Sequence, residues 1–184
     1  DNTCDKMALL LRAAHYGTVD DSFHQNDNEI RLVSAACSVR CPQDYFLKLL
    51  GQHQNQVHER DNRNLLPLHY AVLNASVDSQ PYTQFVLESL LELYPQAASF
   101  PDEEGRLPLH VALMDSKLTW HKGGVQELVY AYPAALRVRD PLHQLLPFLA
   151  SAFHAIKSML HLSTTYELLR AAPDVIESLV NVRD

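Results

Sequence analysis

The sequence predicts an all-α protein built as a stack of helix-turn-helix units. Two observations carry this expectation. Proline recurs in two fixed slots of each unit, and apolar residues recur at helical spacing between those slots. A third observation weighs against the rival class: only 5 Gly and 8% aromatic residues are too few for a typical β-barrel or sandwich. At 184 residues, with 47% hydrophobic and 20% charged residues, the chain can bury either one sizeable core or a short repeat array.

The entry slot is written Leu65-Leu66-Pro67-Leu68-His69-Tyr70-Ala71-Val72, then Arg106-Leu107-Pro108-Leu109-His110-Val111-Ala112-Leu113, then Leu146-Pro147-Phe148. Residues 67, 108 and 147 are separated by 41 and 39 positions. Pro at a first helical position loses no hydrogen bond and has its φ already set for a helix. Each Pro is therefore expected to open a helix. An apolar run then follows in each unit, at Phe85–Leu91, Gln126–Tyr130 and Tyr166–Leu169, and reads as a second helix. The second Pro slot comes next, at Pro95, Pro133 and Pro173, and is expected to stop that helix.

Between units lie Asp61-Asn62-Arg63-Asn64, Asp102-Glu103-Glu104-Gly105 and Asp140-Pro141-Leu142-His143, all of turn composition. Asn64 and Gly105 hold equivalent places, and both residue types tolerate a left-handed backbone. A hairpin-like finger between helix pairs is expected.

Pro-Leu-His-x-Ala following Asp-x-x-Gly resembles the ankyrin repeat, whose period is about 33. The match is fullest over Asp102–Ala112. The Leu-Pro-Leu-His variant, with Tyr-Pro-x-Ala-Leu and the Leu168–Pro173 ending, is similar to divergent ankyrin-like proteins abundant in diatoms. Leu66 and Leu107 stand where the family usually has Thr, so an apolar contact is expected to replace a hydroxyl. The resemblance implies an ankyrin-type solenoid with finger-like hairpin turns. Its longer period is assigned to enlarged helix-helix loops, Ser76–Tyr82 and Ser116–Gly124. It also implies a single domain: a capping helix and loop over 1–28 with its helix at Met7–Ala14, a divergent repeat over 29–60, repeats over 61–101 and 102–139, and a degenerate repeat over 140–184.

The function implied is partner binding on a concave face made of fingers and first helices, without catalysis or cofactor. The family's variable positions fall on Asn62, Arg63, Leu65, Leu73 and Asn74, then on Glu103, Glu104, Arg106, Met114 and Asp115. Arg106 and Met114 are expected to matter most there, with Glu103 and Glu104 facing solvent. Trp120, the single Trp, is either a cover packed on the neighbouring turn or a rival anchor for the partner. Pro67, His69, Ala71, Pro108, His110, Ala112 and Pro147 are read as structural, with the two histidines bonding finger backbone. The alternative is a peripheral or regulatory part of an enzyme or larger assembly, with the chemistry on another segment or chain.

A weaker alternative is a zinc module. Cys37-x3-Cys41-x11-His53-x4-His58 falls one residue short of C2H2 zinc-finger spacing between its pairs. Ile30, Val33, Ala36 and Cys37 recur at helical spacing, however, so Cys37 is expected on a helix and not on the hairpin a zinc finger needs. His69 and His110 are expected about 10 Å apart, too far to share an ion.

No phosphate-binding loop, nucleophile elbow or His-Glu-x-x-His motif is present. The net charge of -7, without a basic run, argues against nucleic acid as a partner. No apolar stretch is long enough to insert in a bilayer. The Asn74-Ala75-Ser76 sequon is read as chance. Three Cys favour a reducing compartment such as the cytoplasm. The chain opens at Asp1 without Met and is expected to be a fragment.

Overall fold

The computed structural model describes residues 31–75, 80–114, 118–155 and 160–176. The expected capping helix at Met7–Ala14 and the site residue Asp115 lie outside the described residues. Among the described residues every regular element is helical and none is a strand. The α-helices are α1 (Leu32–Ser38), α2 (Gln43–Gln52), α3 (Pro67–Leu73), α4 (Gln80–Leu93), α5 (Pro108–Met114), α6 (Val125–Ala131), α7 (Pro147–Ala155) and α8 (Leu160–Ala171).

Each entry Pro is the first residue of its helix, at α3, α5 and α7. Leu66, just before α3, is extended at φ -89 and ψ 163, the conformation that a following Pro favours. The second Pro slot does more than end a helix. Pro95 and Pro133 open 3-10 helices, Pro95–Ser99 and Pro133–Arg137, after a single break residue, Tyr94 or Tyr132, near φ -144 and -143. The break keeps its own N–H bonded, Tyr94 to the Leu90 carbonyl and Tyr132 to that of Leu128. A Pro placed just after it then starts a tighter turn without orphaning a donor. The divergent first unit makes the same 3-10 exit at Gln54–His58 without any Pro.

The units stack by like against like. First helices α1, α3, α5 and α7 pack in succession, second helix α4 packs on α6, and α7 pairs with α8. The shared core includes Phe46, Leu66, Leu68, Leu87, Leu90, Leu109, Leu113, Leu128 and Leu168, all fully buried. Each such Leu contributes about 1.5–3 kcal/mol relative to an exposed one. No helix among the described residues is long and apolar enough to cross a membrane.

The enlarged loops differ from the expectation. Gln80–Tyr82 belong to α4, so part of the first insertion lengthens a helix to 14 residues, against 7 in α6. The described part of the second insertion, residues 118–124, is largely buried, with His121 and Lys122 exposed. Leu118 is fully enclosed and its N–H bonds the Ala112 carbonyl, while Gly124 at φ 82 lies against Leu87 of α4. A side chain at Gly124 would be strained in its backbone and would collide with Leu87.

Candidate partner-binding surface

Three loops separate the units, finger 1 (residues 61–65), finger 2 (102–106) and finger 3 (140–145). Each opens with an Asp whose carboxylate folds the loop over itself. Asp61 Oδ1 accepts the amides of Arg63 (2.9 Å) and Leu65 (2.7 Å), and its main chain closes the loop against Leu65 (3.0 Å). Asp102 Oδ1 accepts those of Glu104 (3.0 Å) and Arg106 (2.8 Å). Asn64 and Gly105 take the left-handed conformation at φ 62 and 78. In finger 3 the left-handed residue is Gln144, at φ 57, and the Asp140 amide closes on Leu145. Finger 3 is therefore one residue longer than a direct alignment of His143 with Asn64 and Gly105 implies.

Fingers 1 and 2 are tied side by side. Arg63 Nε meets Glu103 Oε1 at 3.0 Å, and Asn64 Nδ2 donates to the Pro101 carbonyl at 3.3 Å. Arg60 lies over the Phe100 ring, 4.1 Å from its centroid, and donates to Asn64 Oδ1. Beneath the fingers sit the two motif histidines. His69 Nδ1 accepts the Leu66 N–H (3.0 Å), and His69 Nε2 lies 3.0 Å from the Phe100 carbonyl. His110 repeats this with the Leu107 N–H (3.1 Å) and the Val138 carbonyl (3.1 Å). A carbonyl can only accept, so each ring is assigned the neutral form with its proton on Nε2. His at the third helical position thus caps its own helix entry, as a Glu or Gln would, and bonds the stretch leading into the next finger. The capped residues Leu66 and Leu107 are themselves buried. Burial holds both imidazoles below their usual pKa, and the backbone carbonyls and nearby Asp residues only partly offset it. In the first unit, where Val33 replaces His, Gln56 Oε1 from the exit reaches back to the Val33 N–H (3.2 Å).

The expected partner-binding residues divide into two groups. Asn62, Arg63, Leu73, Asn74, Glu103 and Glu104 are exposed. Leu65 is not: it is 3% exposed in the core, because the finger turns its side chain inward. Arg106 is largely buried and held between Asp102 (3.0 Å) and Glu104 (2.9 Å), so its guanidinium serves its own finger. Met114 is half-buried against the core. Trp120 is 5% exposed, with its backbone N–H on Thr164 Oγ1 of α8 at 3.0 Å, and it is a buried brace and not an exposed anchor. Of the two readings of Trp120, the packed cover is the one its burial bears out.

One exposed residue escaped the sequence reading. Leu73, Met114 and Phe153 each lie six positions after the unit's entry Pro, at 67, 108 and 147, and Phe153 is half exposed. The equal offset was the available signal, masked by the loss of His from the third motif.

The zinc alternative does not assemble. No group of three His, Cys, Asp or Glu among the described residues lies close enough to hold a metal. Cys37 lies in the last turn of α1 and Cys41 bonds the Tyr82 hydroxyl (3.2 Å), while the His58 ring packs against Tyr94. Burial pushes both thiols up, away from the thiolate that a metal needs. A half-open cavity of about 40 Å³ beside them, lined in part by Cys37, Arg40, Asn74, Tyr82 and Thr83, has room for little more than water. No known family model matches the chain, and no curated protein matches it in sequence.

Proposed function

We propose that this chain is an ankyrin-like repeat array that binds a partner protein through its fingers and first helices and has no catalytic centre of its own. The observation that carries the reading is the repetition of one built finger. In fingers 1 and 2 a buried or half-buried Asp fixes the loop, a buried His fixes what lies beneath it, and the tip residues are left exposed. Surfaces rigid before binding lose little conformational entropy on association, which suits a recognition module. Polar tips at Asn62, Arg63, Glu103 and Glu104, with exposed apolar Leu73 and Phe153 at one offset of the first helices α3 and α7, suit a partner offering both hydrogen bonds and an apolar contact.

The test is capture of partners by the native chain, compared with two variants shown to remain folded. Arg63→Ala with Leu73→Ala alters the finger and first-helix side. Tyr130→Ser alters an exposed position on second helix α6, 69% exposed. The reading requires that the double variant loses a partner which the native chain and Tyr130→Ser retain. Loss confined to Tyr130→Ser moves the site to the second helices and ends this proposal.

A further inference from the structure

We propose that finger 3 is a proton-sensitive joint, tightening below neutral pH through the Asp140–His143 contact, while fingers 1 and 2 are built not to respond in this way. The three finger Asp residues differ in the side chain that donates to Oδ2. Asp61 Oδ2 accepts the Tyr70 hydroxyl at 2.5 Å. Asp102 Oδ2 accepts Arg106 Nε at 3.0 Å. Phenol and guanidinium keep their protons throughout the neutral range. Asp140 Oδ2 instead accepts the His143 amide (2.8 Å) and the His143 Nδ1–H (2.6 Å), and its other oxygen, Oδ1, is buried without a hydrogen-bond partner among the described residues.

The sequence explains the difference. Ala150 stands in the place of Tyr70, and Leu145 in that of Arg106, so both alternative donors are absent from the last unit. Asp140 is 1% exposed, and an under-satisfied carboxylate at such depth is costly. His143 is the donor that remains, and imidazole is the side chain whose charge ordinarily changes between about pH 5 and 8. A neutral ring gives Asp140 an ordinary hydrogen bond, and a protonated ring gives it a charge-assisted one.

The other charged groups around finger 3 do not duplicate this role. On finger 2, Arg106 is held by Asp102 and Glu104, and Glu103 by Arg63. Arg137, on the exit before finger 3, is paired with Asp174, and Arg139 donates to the Gln144 carbonyl within the finger. α7 contributes His154, whose ring lies against Phe153 and His161. From α5, His110 faces Asp140 electrostatically, but burial disfavours its charged form and its ring nitrogens are committed to Leu107 and Val138. Acidification therefore acts on the last finger with a sign opposite to its action on the histidine caps beneath the first two.

Amide exchange of the full 184-residue chain at pH 8 and pH 6 tests this, with protection taken relative to the unstructured rate at each pH. The amides of His143 and Gln144 report finger 3, and those of Leu65 and Arg106 report fingers 1 and 2. Protection in finger 3 is expected to rise about fivefold on acidification, as a neutral bond becomes charge-assisted, with no rise at Leu65 or Arg106. His143→Gln keeps a neutral donor and is expected to abolish the rise. Parallel behaviour of all three fingers in the native chain, or a rise that survives in His143→Gln, overturns the proposal.

Discussion

The two insertions lie at equivalent points of adjacent units and end in different structures. The first extends α4 by its N-terminal turn and reaches back to the preceding unit, where the Tyr82 hydroxyl meets the Cys41 N–H and Sγ, both at 3.2 Å. The second folds as a compact loop and reaches forward, where the Trp120 N–H meets Thr164 of the last unit. Tyr82 is half-buried, with its hydroxyl on Cys41 and with Arg40 of the same preceding unit over its ring, 5.9 Å from the centroid. In the second loop Leu118, Trp120, Gly123 and Gly124 are buried, while His121 and Lys122 are exposed. Insertions in a repeat array are readily taken as arms for partners. Here each joins its own unit to another, the forward one through a loop that carries the buried Leu118 and Trp120 and the backward one through a half-buried Tyr82.

Trp120→Ala is the strongest way to break this contrast. Removing a buried indole costs about 3–5 kcal/mol. The melting temperature should fall by roughly 10 °C, given about 2–4 °C per kcal/mol for a domain of this size. A loss below about 0.5 kcal/mol in urea denaturation would mean that the indole is exposed and the forward brace is wrong.

Smaller changes separate the parts of each brace. Thr164→Val leaves the Trp120 N–H buried without an acceptor, at about 1–3 kcal/mol, read as a shift of the urea midpoint. His110→Ala strips the cap from Leu107 and the bond to Val138, and falls in the same range. Tyr82→Phe removes only a hydroxyl at a half-buried site and should cost about 1 kcal/mol. If Tyr82→Phe costs as much as Trp120→Ala, the two braces are equivalent and the contrast fails.

The smallest expected effect is that of pH, and it distinguishes braces from caps. Burial pushes the Tyr82 phenol upward, so neither brace titrates near neutrality. His69 and His110 have folded pKa values below their unfolded value of about 6.5. The unfolded chain then binds more protons, so their contribution is complete above pH 6.5 and is lost as pH falls below it. Stability measured from pH 7.5 to 5 should decline, and the decline should be smaller in His69→Ala and His110→Ala. An undiminished slope in both variants would place the acid response elsewhere.

Much of this architecture was legible because it rests on local chemistry. Pro fixes a helix start through its own ring, Asp folds a finger through its own carboxylate, and Asn64 and Gly105 supply a left-handed turn. The all-helical class of the described residues and the helix starts at Pro67, Pro108 and Pro147 follow from such residues. The rest depended on contacts distant in sequence. Nothing in the segment around Trp120 foretells Thr164, 44 residues later. Arg106 reads as a free cation until Asp102 and Glu104 are seen to hold it, and Leu65 reads as a surface position until the finger turns it inward. The extra residue of finger 3 was hidden because Pro141-Leu142-His143 has turn composition in either register. Of the residues expected at the surface by their position in the unit, Asn62, Arg63, Glu103 and Glu104 are exposed, and the exposure of Phe153 was hidden because its motif lost His.

Hydrogen-exchange footprinting of the chain with a captured partner tests the central claim most directly, namely that fingers bind and insertions brace. The account predicts that residues 118–126 are already protected in the free chain and change little, while protection on binding appears at residues 61–66, 67–74 and 102–106. Weak protection of 118–126 in the free chain, followed by protection there and not at the fingers once the partner is bound, would contradict it.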